Sequence, residues 1–267
     1  MTKFGVYFTC YTEKESVENA IKLLFEIYPD IPVYLVSDGG ADYGYLEEKF
    51  KGKRIKTMLG EDTRGLIPKI PKENFRSEEW QAYAQKSIVT FFNRVKDAIN
   101  YCGTEYLLVM EPDVLVRGKL TIPEGSLFSG SRVNKGISKE LREIVRKVPG
   151  AIDVNHWGAT PAIFKSDTFL QAWHKLESDS ALLRALCMAE HRLPNYDLTF
   201  AVLFALIGVP EERNPDIIEC LRDKNWRTKP QPLVHQYREL YPKMDYSGTH
   251  ATDPHKVKRP WYMFWKH

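Results

Sequence analysis

Two carboxylates separated by one proline stand directly after an apolar run that is typical of a buried strand. The run is Tyr106–Met110, and Glu111 and Asp113 follow it. Carboxylate oxygens bind hard divalent cations, and such a cation neutralises a diphosphate that leaves as an anion. The spacing therefore predicts metal-assisted group transfer at a strand end. Because an acid-x-acid pair is also common turn chemistry, the prediction depends on the surrounding elements.

Polar residues also follow two other predicted strands. Thr9 and Tyr11 stand at the end of the first apolar run, and Asp38 stands at the end of the second. In an open α/β sheet, ligands bind at the carboxyl ends of the strands, near the point where the strand order reverses. We therefore expect these residues to lie along one edge with residues 111–113. A simple turn role for Asp38, beside two glycines, is the alternative.

An alternating order of strands and helices would position these side chains. Apolar runs at residues 4–9, 33–36 and 55–58 predict strands, and a helical pattern lies between the first two. A long amphipathic helix is predicted to begin at Ser77 and to precede the strand before Glu111. The order predicts an α/β fold whose first half is doubly wound.

Several motifs occur in a fixed order within these elements. They are Ser37-Asp38-Gly39-Gly40, Asn93-Arg94, Glu111-Pro112-Asp113, Gly158-Ala159-Thr160-Pro161-Ala162-Ile163-Phe164-Lys165 and Asn195-Tyr196-Asp197-Leu198. The ordered set resembles the GT-A glycosyltransferases, whose mark is an Asp-x-Asp motif after a buried strand. Here Glu111 replaces the first aspartate, and Pro112 is central. The resemblance spans most of residues 4–240. It implies an α/β fold with an open mixed sheet, including a Rossmann-like nucleotide-binding half, flanked by helices. It also implies transfer of a sugar from a nucleoside diphosphate donor to a hydroxyl acceptor such as a glycan.

The resemblance implies a binding site for the donor nucleotide, with UDP as the expected nucleotide. Thr9, Tyr11 and Asp38 would hold the base and the ribose. Arg94 would assist at the diphosphate, although it lies on a helix whose apolar face packs in the core and is equally consistent with a role beside that core.

The resemblance also implies a metal site for Mn²⁺ or Mg²⁺. Asp113 would bind the ion directly, and Glu111 would contact the ion or the ribose. His235 follows two apolar residues late in the chain, and in many GT-A enzymes a late histidine completes the metal or diphosphate site. A neutral imidazole suits Mn²⁺, whereas the alternative is a histidine with only local hydrogen bonds.

Asp197 is the predicted general base. It precedes an apolar helical pattern, and a carboxylate at that position can face the cleft and accept the proton of the acceptor hydroxyl. Such direct displacement would invert the anomeric configuration. Glu190 is the alternative base, and a favourable interaction with the helix dipole is the purely structural role for Asp197.

Composition limits the class of protein. The 267 residues carry 38 basic and 35 acidic side chains, a net charge of +3 that is too small to indicate a dedicated nucleic-acid binder. No apolar stretch approaches the roughly 20 residues of a membrane helix, so we expect a cytoplasmic protein without an integral membrane segment. We expect one catalytic domain over residues 1–245 and a basic, aromatic tail over residues 246–267 that packs on it.

Two other functions fit a similar cleft. A sugar-phosphate nucleotidyltransferase would use a similar sheet, but the glycine-rich, arginine-containing loop expected after its first strand is missing at residues 9–12. A non-catalytic module would bind the nucleotide sugar without turnover.

Overall fold

The computed structural model describes residues 3–63, 74–122, 125–130, 137–154, 161–190, 193, 195–219, 223 and 225–235. The predicted tail at residues 246–267 lies outside the described residues, as do residues 158–160 of the motif quoted above. No helix within these ranges combines the length and the apolar character that crossing a membrane requires.

Strands and helices alternate in the first half of the chain, as predicted. This half contains β1 (Phe4–Cys10), α1 (Lys14–Ile27), β2 (Val33–Asp38), α2 (Tyr45–Lys49), β3 (Ile55–Gly60), α3 (Glu78–Cys102) and β4 (Tyr106–Met110). The second half contains β5 (Leu115–Val116), β6 (Phe128–Gly130), α4 (Lys139–Arg146), β7 (Ala162–Lys165), α5 (Ser166–Glu177), α6 (Ser180–Ala189), α7 (Tyr196–Ala205), β8 (Glu212–Arg213), β9 (Ile217–Glu219) and β10 (Leu233–His235).

Seven strands form one mixed sheet in the order β3-β2-β1-β4-β7-β6-β8. The first four are parallel, whereas β7 runs antiparallel to both β4 and β6. The chain proceeds outward from β1 to β3 and then returns to place β4 on the other side of β1. The strand order therefore reverses between β1 and β4, and a ligand cleft is expected outside their carboxyl ends.

The long helix α3 packs across the parallel half of the sheet. The Ser77 side chain accepts a hydrogen bond from the Trp80 amide at its start, and Gly103 ends it with a left-handed φ of 59°. Its buried face contributes to the larger apolar core together with β1, β2 and α7. Arg94 is a charged residue on this buried face.

A separate small sheet has the order β5-β10-β9. The strand β5 begins shortly after Asp113, and β10 pairs with it so that Val234 lies opposite Leu115. The next residue of β10 is His235. This pairing brings a histidine from late in the chain to the acidic pair at the end of β4.

Candidate active site

Glu111 and Asp113 leave the sheet at the point where the strand order reverses. Phe8 of β1 is in register with Met110 of β4, so the two strands end side by side. A backbone hydrogen bond of 3.1 Å from Val114 to the Glu111 carbonyl closes a turn around the proline. The Asp113 side chain is 8% exposed and that of Glu111 is 24% exposed. The turn thus buries the Asp113 carboxylate and leaves the Glu111 carboxylate partly exposed.

His235 lies against both carboxylates. Its Nε2 atom is 3.8 Å from Asp113 Oδ1 and 3.9 Å from Glu111 Oε2. One ligand atom from each of the three residues lies within 4.8 Å of the other two. The structure therefore brings together the three residues that the sequence analysis proposed as metal ligands.

The acidic surroundings control the charge of this histidine. Burial alone disfavours the protonated imidazole, but Glu219, Asp113 and Glu111 outweigh it and raise the pKa of His235 from 6.5 to about 9. A proton on the imidazole therefore balances part of the negative charge at neutral pH. A divalent cation bound by Nε2 would have to displace that proton.

Two residues that the sequence analysis did not identify complete the surroundings. Glu219 of β9 is in register with His235, and its Oε1 atom lies 3.6 Å from His235 Nδ1. On the other side, the Tyr196 hydroxyl at the start of α7 donates a hydrogen bond to Glu111 Oε1. Tyr196 lies within one of the motifs noted in the sequence, but its role there does not follow from the motif. Neither contact has a local pattern, because one depends on strand register and the other on helix packing.

Asp38 and Arg94 form a buried ion pair with each other. Arg94 Nη1 lies 2.7 Å from Asp38 Oδ1, and both side chains are almost completely buried. The amide and hydroxyl of Thr63 also donate to the Asp38 carboxylate, and Arg94 Nη2 donates to the Glu61 carbonyl at 2.6 Å. The guanidinium packs against Gly60, where a Cβ would lie 2.5 Å from Nη2. The pair thus links the end of β2 to α3 and to the segment after β3.

Hydrogen bonds to the Tyr11 carbonyl fix the chain just after β1. The Tyr11 carbonyl accepts hydrogen bonds from the Ala41 amide, the Ser37 hydroxyl and the Tyr43 hydroxyl. The Tyr11 side chain is half-buried, and Thr9 is buried beside β2. A Cβ on Gly40 would lie 2.3 Å from the Tyr11 carbonyl oxygen, so this close approach of the two strand ends requires glycine.

The two candidate bases have different surroundings. Asp197 lies in the first turn of α7, where its amide donates to the Asn195 side chain at 3.0 Å, and its side chain is half-buried. Glu190 is 3% exposed and accepts a hydrogen bond from the Ser138 amide at the start of α4. Because Tyr196 contacts Glu111, the helix start that carries Asp197 lies next to the acidic pair, whereas Glu190 supports α4.

The three clustered residues fit a divalent cation. Two carboxylates and an imidazole form an oxygen-rich donor set with one nitrogen, which suits Mn²⁺, and the carboxylates also suit Mg²⁺. The donor atoms already lie within 4.8 Å of one another, so a shared ion requires only small side-chain movements.

Comparison with known proteins shows the fold. The sequence matches no protein-family model and no curated protein. The galactosyltransferase LgtC, solved with donor and acceptor sugar analogues, aligns at a TM-score of 0.50 and 13% identity, covering 86% of each chain. An active-site mutant of LgtC aligns at a TM-score of 0.50 and 14% identity with the same coverage. The glycosyltransferase GlyE from Streptococcus pneumoniae TIGR4 aligns at a TM-score of 0.49 and 13% identity, covering 99% of this chain and 59% of its own.

The alignments to LgtC confirm the predicted fold class. The protein has a GT-A-like fold, an open mixed sheet flanked by helices. At 13% identity this likeness concerns the fold, and the activity has to be argued from the site.

Proposed function

We propose that the protein is a metal-dependent glycosyltransferase that moves a sugar from a nucleoside diphosphate donor to a hydroxyl acceptor. The observation that carries the proposal is the convergence of Glu111, Asp113 and His235 at the switch point of a GT-A-like sheet. A structural turn would not need a histidine from a separate sheet placed against two carboxylates.

The donor site is assigned to the strand ends. Glu111, Asp113 and His235 would hold Mn²⁺ or Mg²⁺, which supplies charge neutralisation for the leaving diphosphate. Thr9 and Tyr11, at the end of the neighbouring strand, would bind the base and ribose, and UDP is the proposed nucleotide.

Asp38 and Arg94 would support the nucleotide site indirectly, without touching the donor. The two side chains pair with each other, and Asp38 also accepts hydrogen bonds from Thr63. We therefore assign them a supporting role, in which they fix the backbone on the nucleotide side of the cleft. Because both side chains are almost completely buried, a direct contact with ribose or diphosphate would require them to become accessible first.

The acceptor side is assigned to the start of α7. Asp197 would accept the proton of the acceptor hydroxyl while the diphosphate leaves from the opposite face of the sugar, with inversion at the anomeric carbon. A glycan hydroxyl is the proposed acceptor, and a cytoplasmic location is proposed from the composition.

Substitution of Asp113 tests the proposal. Asp113→Asn keeps the side-chain volume but removes a ligand charge, so Mn²⁺-dependent release of UDP from a UDP-sugar panel should fall by about 100-fold or more. The fold should persist, which circular dichroism and the melting temperature would verify. Asp167→Asn, in the exposed first turn of α5, is the matched control and should retain activity.

The products formed from different substrates separate the alternatives. A nucleotidyltransferase would form a nucleotide sugar and pyrophosphate from a nucleoside triphosphate and a sugar phosphate. A binding module would bind UDP without releasing it from any UDP-sugar. Full Mn²⁺-dependent activity in Asp113→Asn would contradict the assignment of the metal site.

A further inference from the structure

Tyr196 joins the start of α7 to the acidic pair at the end of β4. Its hydroxyl donates a hydrogen bond to Glu111 Oε1. The residue is 6% exposed, and its ring stacks on Phe91 of α3, with ring centroids 5.1 Å apart and ring planes 10° from parallel. The hydroxyl is therefore held by a rigid, packed ring.

The two oxygens of Glu111 face different partners. Oε1 accepts from Tyr196, whereas Oε2 lies 3.9 Å from His235 Nε2, the atom that also approaches Asp113. A hydrogen bond to one carboxylate oxygen fixes the rotation of the whole group and so directs the other oxygen. Here the directed oxygen is the one that faces the proposed metal position.

The chemistry of the donor matters as much as its position. A phenol donates a hydrogen bond without bringing a positive charge, so the contact itself adds no charge that would oppose a cation. A lysine or arginine at this place would cancel the charge of Glu111. The contact thus orients the carboxylate without neutralising it.

We propose that Tyr196 is a positioning residue that holds the longer Glu111 side chain for cation binding. The inference rests on the proposed metal site. Glutamate has one more rotatable bond than the aspartate usual in this motif, and the Tyr196 hydroxyl restrains that extra freedom. Through the same bond, the helix start that carries Asp197 is connected to the metal ligand.

The first test removes only the hydroxyl. Tyr196→Phe keeps the ring that stacks on Phe91, so the melting temperature without metal should change little. The Mn²⁺ affinity, measured by isothermal titration calorimetry, should fall by about 10-fold or more, since partners that orient metal ligands typically contribute 10–100-fold. Tyr7→Phe is the matched control, because Tyr7 is also buried and packs edge-on against Phe91 at 5.8 Å. The control should bind Mn²⁺ like the unmodified protein.

A second test asks whether the effect of the Tyr196 hydroxyl requires the glutamate side chain. Glu111→Asp shortens this side chain, which withdraws the carboxylate from the hydroxyl and removes the extra rotatable bond. In the Glu111→Asp background, Tyr196→Phe should therefore cause little further loss of Mn²⁺ affinity. A loss from Tyr196→Phe that is as large in this background as in the unmodified protein would overturn the inference.

The outcomes distinguish this inference from the proposed function. If Asp113→Asn weakens Mn²⁺ binding and Tyr196→Phe does not, the metal site stands and the positioning role is wrong. If Asp113→Asn leaves Mn²⁺ binding unchanged, the proposed metal site itself fails. A lower melting temperature for Tyr196→Phe with unchanged affinity would assign the hydroxyl to the fold alone and reject the inference.

Discussion

Both nitrogens of the His235 ring lie near carboxylates. Nε2 faces Asp113 and Glu111, and Nδ1 faces Glu219 at 3.6 Å. A carboxylate behind a metal-binding histidine favours the tautomer with its proton on Nδ1 and leaves the lone pair of Nε2 for the metal. At the proposed metal site, Glu219 would therefore orient His235 without binding the ion itself.

Removal of the Glu219 carboxylate should weaken metal binding. We expect Glu219→Ala to lower the Mn²⁺ affinity by about 10–100-fold, because the imidazole loses the group that fixes its tautomer and orientation. Glu219→Gln keeps an oxygen that can accept from Nδ1, so its loss should be smaller. Titration calorimetry of both variants measures the effect.

The control for this prediction is Glu26→Ala, which removes an exposed carboxylate from the surface of α1. That variant should bind Mn²⁺ normally. An unchanged affinity in Glu219→Ala would refute the orienting role of Glu219.

The sequence could predict the candidate ligands but not their supporting contacts. Glu111 and Asp113 follow a buried strand, and His235 follows an apolar pair, so each has a local signal. The contacts of Glu219 and Tyr196 have no such signal. Glu219 reaches His235 through the register of β9 with β10, and Tyr196, although part of a noted motif, reaches Glu111 through the packing of α7.

At the scale of elements, the buried ion pair Asp38–Arg94 connects three segments near the carboxyl ends of the strands. It joins the end of β2, the middle of α3 and the segment that contains Thr63. A buried pair contributes little net stability when intact, but loss of one partner leaves an uncompensated charge. The pair should therefore behave as a unit.

Loss of Arg94 alone should be costly. Arg94→Met should lower the free energy of unfolding by about 3–5 kcal/mol, because Asp38 remains buried without its counter-charge. The double variant Asp38→Asn and Arg94→Met should recover part of that loss. Urea denaturation followed by tryptophan fluorescence measures both.

The control removes a positively charged side chain from an exposed ion pair. Lys86 pairs with Glu61 at 2.8 Å, but both side chains are largely exposed, so Lys86→Met should unfold at the same urea concentration as the unmodified protein. Equal effects of Arg94→Met and Lys86→Met would show that burial of the pair has no energetic role.

Long elements with clear periodicity could be predicted, and short ones could not. The helix α3 begins after Ser77 and ends before Gly103, as its pattern indicates. The strands β6, β8 and β9 contain only two or three residues each, which is too short for a period-2 pattern to develop. The small sheet that carries His235 was therefore absent from the sequence prediction, which noted only the apolar pair before this histidine.

At the scale of the whole molecule, the sheet has a parallel half and an antiparallel half. The alternation of elements predicts the parallel half, but the placement of β4 beside β1 depends on tertiary packing that one sequence does not reveal. The residues proposed to bind the nucleotide sugar and its metal ion belong to the parallel half and the small sheet. The proposed base belongs to α7, which packs with α3 and α5.

The two candidate bases, Glu190 and Asp197, differ in how accessible they are to solvent. Glu190 is buried and accepts from the Ser138 amide, whereas Asp197 is half-buried at a helix start beside the acidic pair. A base for an acceptor hydroxyl must be reachable from solvent and lie across the sugar from the leaving diphosphate. Asp197 meets the first condition better than Glu190 does.

Asp197→Asn should therefore lower turnover by about 100-fold or more and leave UDP affinity within a few-fold, because the amide cannot accept the proton. Its cost to stability should be small, about 0.3–1 kcal/mol from the lost interaction with the helix dipole. Glu190→Gln keeps the side-chain volume and should retain most of the turnover. Proton NMR of the first product formed should show the anomeric configuration opposite to that of the donor sugar. Since a base that assists direct displacement yields inversion, a product with the configuration of the donor would rule out Asp197 as that base even if the variant were inactive.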